Sequence, residues 1–444
     1  MHITRNAGGL GGVARAGAIA SPFRPVAPLA AAGFAGLLAL ALTLLPRPSL
    51  GAISGVAGPT FSLTARAGYV STGEGGSIHV WGLANGAGLM QYPGPTLLVS
   101  VGDVVTITLD NELPVNVSLV FPGQEGVTAL GGVPGALTNE VEPAGAPVTY
   151  QFTALRPGTF QYHDGSDPQL GIEMGMVGAL IVRPAHAGWA YDHADSAYDR
   201  EVLFLETEMD PLIHELVETQ RIADVDFTKY RPTYWFLNGR TAPDTMVAAG
   251  AQWLPAQPYS CMPMIHPGEK LLLRIVPAGR DLHPFHTHGQ HMRIIAQDGR
   301  LLESAPGSGA DRSFLWFTTT VTPGGTDDAL FTWTGDRLGW DVYGHQPGDP
   351  LAPGELAADH GKPFPVVLPD PKDTEAGPFY PGSPFLGMSG YRQPVFGTTP
   401  NPEAGYYFMW HSHKEYEMVN NDVFPGGMMT MLVVEHPDVP IMEM

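Results

Sequence analysis

Pro95-Thr96-Leu97-Leu98-Val99-Ser100-Val101-Gly102-Asp103-Val104-Val105-Thr106-Ile107-Thr108-Leu109 is the stretch that decides the fold. Apolar residues alternate with Thr and Ser on both sides of a Gly-Asp turn, and Val, Ile and Thr are enriched, so two β-strands are predicted. The phrase returns in the second half, where Val101-Gly102-Asp103-Val104-Val105-Thr106-Ile107 is echoed by Pro267-Gly268-Glu269-Lys270-Leu271-Leu272-Leu273. A second echo joins Arg156-Pro157-Gly158-Thr159-Phe160-Gln161-Tyr162-His163 to Ala404-Gly405-Tyr406-Tyr407-Phe408-Met409-Trp410-His411; each is a glycine, an aromatic strand and a histidine. Further strands are predicted over residues 148–152, 158–162, 176–182 and 201–205. Short strands at this spacing, punctuated by Pro and Gly, indicate β-sandwiches.

The chain is therefore read as all-β, two copies of one sandwich over residues 58–184 and 200–438, joined by a linker at 185–199. The second copy is interrupted from about residue 335 to 403 by a segment crowded with Pro, Gly and Asp. An interruption that long is a lid, a binding loop, an oligomer contact or a surface decoration. With 55 Gly, 43 Pro and only 15% charged residues among 444, the composition suits many turns and few long helices. The net charge of −21 argues against nucleic acid or an anionic membrane as partner. Residues 1–52 form a separate object. Arg5, Arg15 and Arg24 precede an apolar run at 29–45, and no acidic residue precedes Glu74. That is the pattern of an export signal. The run also reaches the short end of a membrane span, so a cleaved leader and a retained anchor both stay open. Either implies a periplasmic or extracellular location.

Cys261 is the single cysteine, which rules out an intramolecular disulfide framework. Its neighbours Met262, Met264 and His266 are soft ligands; the competing reading is a buried thiol at the start of a strand. The metal chemistry lies elsewhere, in His283-Pro284-Phe285-His286-Thr287-His288-Gly289 and His411-Ser412-His413. In a strand, residues i and i+2 share a face, so His286 projects with His288 and His411 with His413. Two adjacent strands of this kind would place four imidazoles within reach of one or two metal ions.

These motifs resemble the multicopper oxidase and copper nitrite reductase superfamily. His-Pro-x-His-x-His-Gly at 283–289 is a family signature; Trp410-His411-Ser412-His413 and the Met-rich strand at 428–434 resemble its His-Cys-His region. In the first half, 158–163, 175–182 and Tyr92-Pro93-Gly94-Pro95-Thr96 resemble nitrite reductases and two-domain laccases. The resemblance covers about residues 60–184 and 200–436. It implies two plastocyanin-like, Greek-key cupredoxin domains, copper as cofactor, a small-molecule substrate or an oxygen species as partner, and a homotrimer.

The departures restrict that expectation. A type 1 copper needs a thiolate with two histidines. Ser412 stands at the cysteine position of the second domain, and Glu417 about where its downstream histidine is expected. Asp164 follows His163 in the first domain. Of the eight histidines of a trinuclear cluster, the first pair is replaced by residues 118–123, and the second keeps His163 but has Gly165. The ligand set expected is thus His163, His286, His288, His411 and His413, with His283 having lost its usual partners. Asp164, Asp167, Glu415 or Glu417 would add oxygen donors and shift preference towards manganese or iron. The resulting expectation is an exported copper-binding oxidoreductase with a mono- or dinuclear centre, with Asp164 as proton relay. The alternative is a non-catalytic cupredoxin scaffold or copper-handling protein.

Overall fold

The computed structural model describes residues 53–346, 348–362, 383–386, 405–435, 437, 440 and 441. The expected export segment lies outside the described residues. Among the described residues, no helix is long and apolar enough to cross a membrane.

Residues 56–183 form two facing sheets. One runs, in spatial order, Val56–Ala57, Leu97–Ser100, Val177–Arg183, Gly158–Asp164, Leu119–Val120; the other runs Met90–Gln91, Ser77–Asn85, Thr60–Ser71, Val104–Asn111, Val148–Thr153, Thr128–Gly131. The two strands read from 95–109 are present, yet they belong to different sheets: the chain crosses the sandwich at Val101–Asp103, where Gly102 takes φ +91°. Alternation drives this packing. Val105, Ile107 and Leu109 are fully buried, as the inward half of a half-exposed strand should be.

Residues 200–434 repeat the plan. A sheet of Tyr234–Leu237, Arg200–Met209, Lys270–Pro277, Asp327–Thr332, Met292–Gln297 and Arg300–Leu301 is joined at Met292–Gln297 by Phe314–Trp316; another is built from Met264–Ile265, Met429–Val434, Gly405–Ser412, Phe285–Thr287 and Thr318–Thr319. Both sequence echoes are echoes of topology. Val104–Asn111 pairs parallel with Thr60–Ser71, and Lys270–Pro277 pairs parallel with Arg200–Met209. Gly158–Asp164 pairs antiparallel with Val177–Arg183, and Gly405–Ser412 with Met429–Val434. The architecture is mostly β, with few helices, as cupredoxin-like domains are. The described helices include Pro168–Met174 and Pro211–Glu218, each opened by an Asp N-cap and a Pro in the first turn.

The stretch between the sandwiches is packed down. Ala190 and Tyr191 are buried, and the Tyr191 hydroxyl donates to Asp328 Oδ2 at 2.5 Å. That carboxylate belongs to a buried network centred on Arg274. The guanidinium donates from Nε to Glu201 Oε2 at 3.0 Å and from Nη1 to Thr159 Oγ1 at 2.9 Å, and Thr159 Oγ1 donates to Asp328 Oδ1 at 2.6 Å. Thr159 comes from the first sandwich and the others from the second, so one cation joins the two. Burial alone would raise the Glu201 pKa, but Arg274 and Arg183 outweigh it and hold the carboxyl below its ordinary 4.5.

Replacing Arg274 with Leu removes the buried cation beside Glu201 and Asp328, and a loss of about 3–5 kcal/mol at neutral pH is expected. Because the folded-state pKa of Glu201 is depressed, its contribution is present above pH 4.5 and fades as the pH falls through the folded value. Urea unfolding of wild type and Arg274→Leu should therefore differ most above pH 4.5 and converge in acid. Equal midpoints at neutral pH would remove the network from the account of stability.

Candidate metal centre

Strand register assembles the centre. Phe285–Thr287 pairs antiparallel with Gly405–Ser412, with His286 opposite His411, Phe285 opposite Ser412 and Thr287 opposite Trp410. Opposed residues share a face, so His286, His288, His411 and His413 emerge on one side. Phe285, Thr287, Trp410 and Ser412 turn inward and are buried. The four rings lie together: centroids are 4.9 Å apart for His286–His288 and for His286–His413, 5.6 Å for His286–His411, 5.3 Å for His288–His411 and 5.5 Å for His411–His413. His411 Nε2 is 3.3 Å from His288 Nε2.

Neighbouring groups orient the rings. His411 Nδ1 is 2.7 Å from the Ser412 carbonyl, which can only accept, so Nδ1 carries the proton and Nε2 the lone pair. His286 Nδ1 is held by Thr318 Oγ1 at 2.6 Å. Trp410 Nε1 donates to the His288 carbonyl at 2.9 Å and fixes that end of the strand. Burial first, then the neighbouring imidazoles, pushes the His286 pKa down to about 4, and burial lowers His411 as well. Neutral rings with Nε2 free are the form that binds transition metals.

His163 is placed differently. Its Nδ1 is 2.8 Å from the Asp164 carbonyl, and among the described residues no hydrogen bond or ring contact joins it to the other four. The neighbouring Gly165 is sealed: a Cβ there would sit 2.7 Å from Val120 Cγ1 and 2.9 Å from Ser118 Oγ. Asp164 is a loop-holding carboxylate. Oδ1 accepts from Ser118 N at 3.2 Å and Ser166 N at 3.3 Å, and Oδ2 from Asp167 N at 3.0 Å. With both oxygens committed to backbone, the relay role expected from sequence has no geometric basis. Asp167 caps the helix Pro168–Met174. Cys261 is a buried thiol donating to the Leu237 carbonyl at 3.0 Å, with its pKa raised by burial to about 12.

On the inward face, His283, Ser412 and Glu417 belong to an ionic cluster. His283 Nδ1 is 3.0 Å from Glu417 Oε2 and Nε2 is 2.9 Å from Glu208 Oε2. Ser412 Oγ donates to Glu417 Oε2, and Lys414 Nζ lies 2.6 Å from Glu417 Oε1. Burial disfavours a charged His283, but the bonds to Glu208 and Glu417 outweigh it and hold the pKa at about 10. Against burial, His283, Lys414 and Ser412 keep Glu417 below the usual carboxylate range. Both ring nitrogens of His283, which the sequence placed among the metal ligands, are thus within hydrogen-bond distance of carboxylates. Glu208 was not singled out from sequence. It lies 75 positions from its partner on another strand, and no local signal marks it.

With this geometry in hand, similarity to known proteins can be placed. Residues 74–187 match the family model for multicopper oxidases. Multicopper oxidase MCE of Talaromyces pinophilus is 38% identical over 96 residues, which are 21% of this chain and 15% of that protein. Laccase-1 of Emericella nidulans is likewise 38% identical over 95 residues, 21% of this chain and 15% of its own. The fold likeness extends further. The multicopper oxidase mgLAC superposes with a TM-score of 0.53 at 18% identity over 86% of this chain and 87% of its own. The blue copper oxidase from Nitrosomonas europaea does so with 0.53 at 19% over 84% and 85%. The family match falls in the first half, whereas the gathered histidines lie in the second. Multicopper oxidases imply copper: the four-imidazole face fits it, and the Ser412–Glu417–His283 face does not.

His283→Leu should destabilise the chain by about 3–5 kcal/mol, since Glu208 and Glu417 lose the cation between them; chemical denaturation checks this, and a change below about 1 kcal/mol would contradict it. Conversely, Ser412→Cys with Glu417→His places a thiolate and a second imidazole beside His283. Copper added to that double variant should give an intense blue charge-transfer band, with none expected from wild type. A copper-loaded variant that stays colourless would show that position 283 is no longer built for copper.

Proposed function

We propose that this chain is a copper-binding oxidoreductase working without a type 1 centre, at a mono- or dinuclear site held by His286, His288, His411 and His413. The observation that carries this reading is the convergence of four imidazoles on one face, with His411 presenting Nε2 to His288 Nε2 at 3.3 Å. Copper bound there would supply one-electron exchange and Lewis acidity towards a small-molecule substrate or an oxygen species. The protein's part is positional. The Ser412 carbonyl and the Thr318 hydroxyl fix His411 and His286, and the aromatic layer of Phe285 and Trp410 beneath keeps the strand pair from slipping. Phe317, half exposed, sets its ring against His286 at 5.8 Å and shapes one side of the entrance.

The same reading includes export, on the basic and then apolar N-terminus, and a ring of three copies. Phe314, Leu315, Trp316 and Phe317 form an exposed apolar strip beside His286, a surface that a second copy would cover. A neighbouring copy is also the means by which a fifth imidazole, His163, would reach the four. A second reading, a copper-handling or scaffold protein, is favoured by one observation: the site that would pass electrons to the centre is an ion-pair cluster around His283.

Metal analysis and electron paramagnetic resonance of copper-supplemented protein separate the two. The enzyme reading expects one or two copper ions per chain, a nitrogen-ligated non-blue Cu(II) signal, and copper affinity weakened by at least about 10–100-fold in His286→Ala/His413→Ala. Only traces of copper would favour the scaffold, and an intense blue band would overturn the ligand assignment. Light scattering should give the mass of three chains; a monomer with full copper would remove both the ring and His163 from the centre.

A further inference from the structure

The insertion that interrupts the second sandwich begins with a self-closing loop. Asp341 N donates to the Lys362 carbonyl at 3.0 Å, and Gly361 N donates to Asp341 Oδ2 at 2.7 Å. Four side chains converge at this neck. Asp341, His345, Glu355 and His360 each offer one ligand atom, and the four atoms lie within 4.8 Å of one another. His345 Nδ1 is 2.9 Å from Asp341 Oδ2 and 3.2 Å from Glu355 Oε1; His360 Nδ1 is 2.9 Å from Glu355 Oε1 and 4.0 Å from Asp341 Oδ2. A zinc ion with bonds of about 2.0–2.1 Å spaces tetrahedral ligands about 3.3–3.4 Å apart. The observed separations bracket that edge.

The outer contacts aim these atoms inward. Each carboxylate spends its other oxygen on backbone: Asp341 Oδ1 accepts from Tyr343 N at 2.9 Å, and Glu355 Oε2 from Ala352 N at 2.8 Å. His360 Nε2 is 3.1 Å from the Asp349 carbonyl, so it carries the proton and leaves Nδ1 as the donor. The Tyr343 ring stacks on His345 at 5.6 Å. Both carboxylates are buried, unlike those of a solvated acidic patch, with side chains 2% and 3% exposed. Two carboxylates with two neutral imidazoles balance the charge of a divalent ion, which keeps the cost of burying it low. The mixed nitrogen and oxygen set with tetrahedral spacing suits zinc better than square-planar Cu(II) or octahedral magnesium.

We propose that Asp341, His345, Glu355 and His360 form a zinc site that staples the insertion against the second sandwich. It shares no residue with the four-histidine centre and does not depend on the reading given to that centre. The loop is already seated: Trp340 and Tyr343 pack on the second core, and Trp340 Nε1 donates to the Tyr406 hydroxyl at 3.0 Å. A four-coordinate ion would close the neck between residues 341 and 360.

The test uses the full chain, stripped with a chelator and titrated with zinc, beside His345→Ala/His360→Ala and Asp341→Asn/Glu355→Gln. The four-histidine centre also takes up zinc, so the readout is the difference. Wild type should hold one zinc per chain more than either variant, or bind that ion at least about 10–100-fold more tightly. Equal zinc content and affinity in wild type and both variants would overturn the proposal. A second measurement needs no variant. Zinc, and not magnesium, should slow tryptic cleavage of wild type after the exposed Arg337, and chelation should reverse the effect. Cleavage indifferent to zinc would equally count against the site.

Discussion

The pairing of Phe285–Thr287 with Gly405–Ser412 is the constraint on which the rest of this molecule's chemistry depends. A strand has a period of two, so a slip of one residue would exchange every inward and outward side chain. What prevents the slip is the inward face. Phe285 packs on Phe204 at 4.9 Å, and Trp410 packs on Phe331 at 5.0 Å and on Phe204 at 6.2 Å. Such aromatic pairs contribute about 0.5–1.5 kcal/mol each beyond the area they bury. Turning Phe285 and Trp410 out would expose two aromatic residues and bury imidazoles in their place. The hydrophobic core therefore decides which face carries the histidines, and the metal chemistry follows from packing.

The same register explains why the two faces have diverged chemically. Ser412 lies between His411 and His413 in sequence but points the other way, towards Glu417 and His283. A thiolate there would be a soft ligand; a hydroxyl is a hydrogen-bond donor, and the surroundings answer it as one. Glu417 accepts from Ser412, His283 and Lys414 together, and Glu208 takes the far side of the His283 ring. Two acidic groups are thereby matched by two basic ones. Leaving any one of them unpaired in a buried setting costs more than the whole cluster does, so the ionic arrangement is self-consistent and resists conversion by a single substitution.

Much of this was legible in the chain because periodicity is a local property. The alternation in 95–109, the two internal echoes and the two His-x-His pairs all declare themselves within a few residues, and Ser412 and Glu417 could be seen as departures at fixed spacing. What could not be read were relations across long separations. Glu208 meets His283 through strand Arg200–Met209, and Thr159 meets Asp328 across 169 positions. The turn at Gly102 also carries the chain from one sheet to the other, and a sequence does not say which sheet a strand joins. The burial of Tyr191 in the stretch read as a linker depends on the Asp328 carboxylate, supplied 137 positions later. Asp164 is the instructive error. A carboxylate beside a metal-ligand histidine suggests proton transfer, but three backbone N–H groups claimed it first.

The location of the family match adds a physical point. In the segment matching multicopper oxidases, residues 74–187, the packing around His163 is tight: Gly165 has no room for a Cβ, and the Asp164 carboxylate ties the loop after it to the strand beside it. A sandwich keeps its fold through alternating core residues such as Val105, Ile107 and Leu109, none of which touches a metal position. Core positions and candidate ligand positions are thus separable along these strands. The first sandwich instead serves as a brace. Through Thr159 it receives Arg274, and through Tyr92 it bonds Thr207 at 2.5 Å on the strand that also carries Glu208. Among the described residues, imidazoles from two adjacent strands meet on a shared face in the second sandwich, where Phe285–Thr287 pairs with Gly405–Ser412.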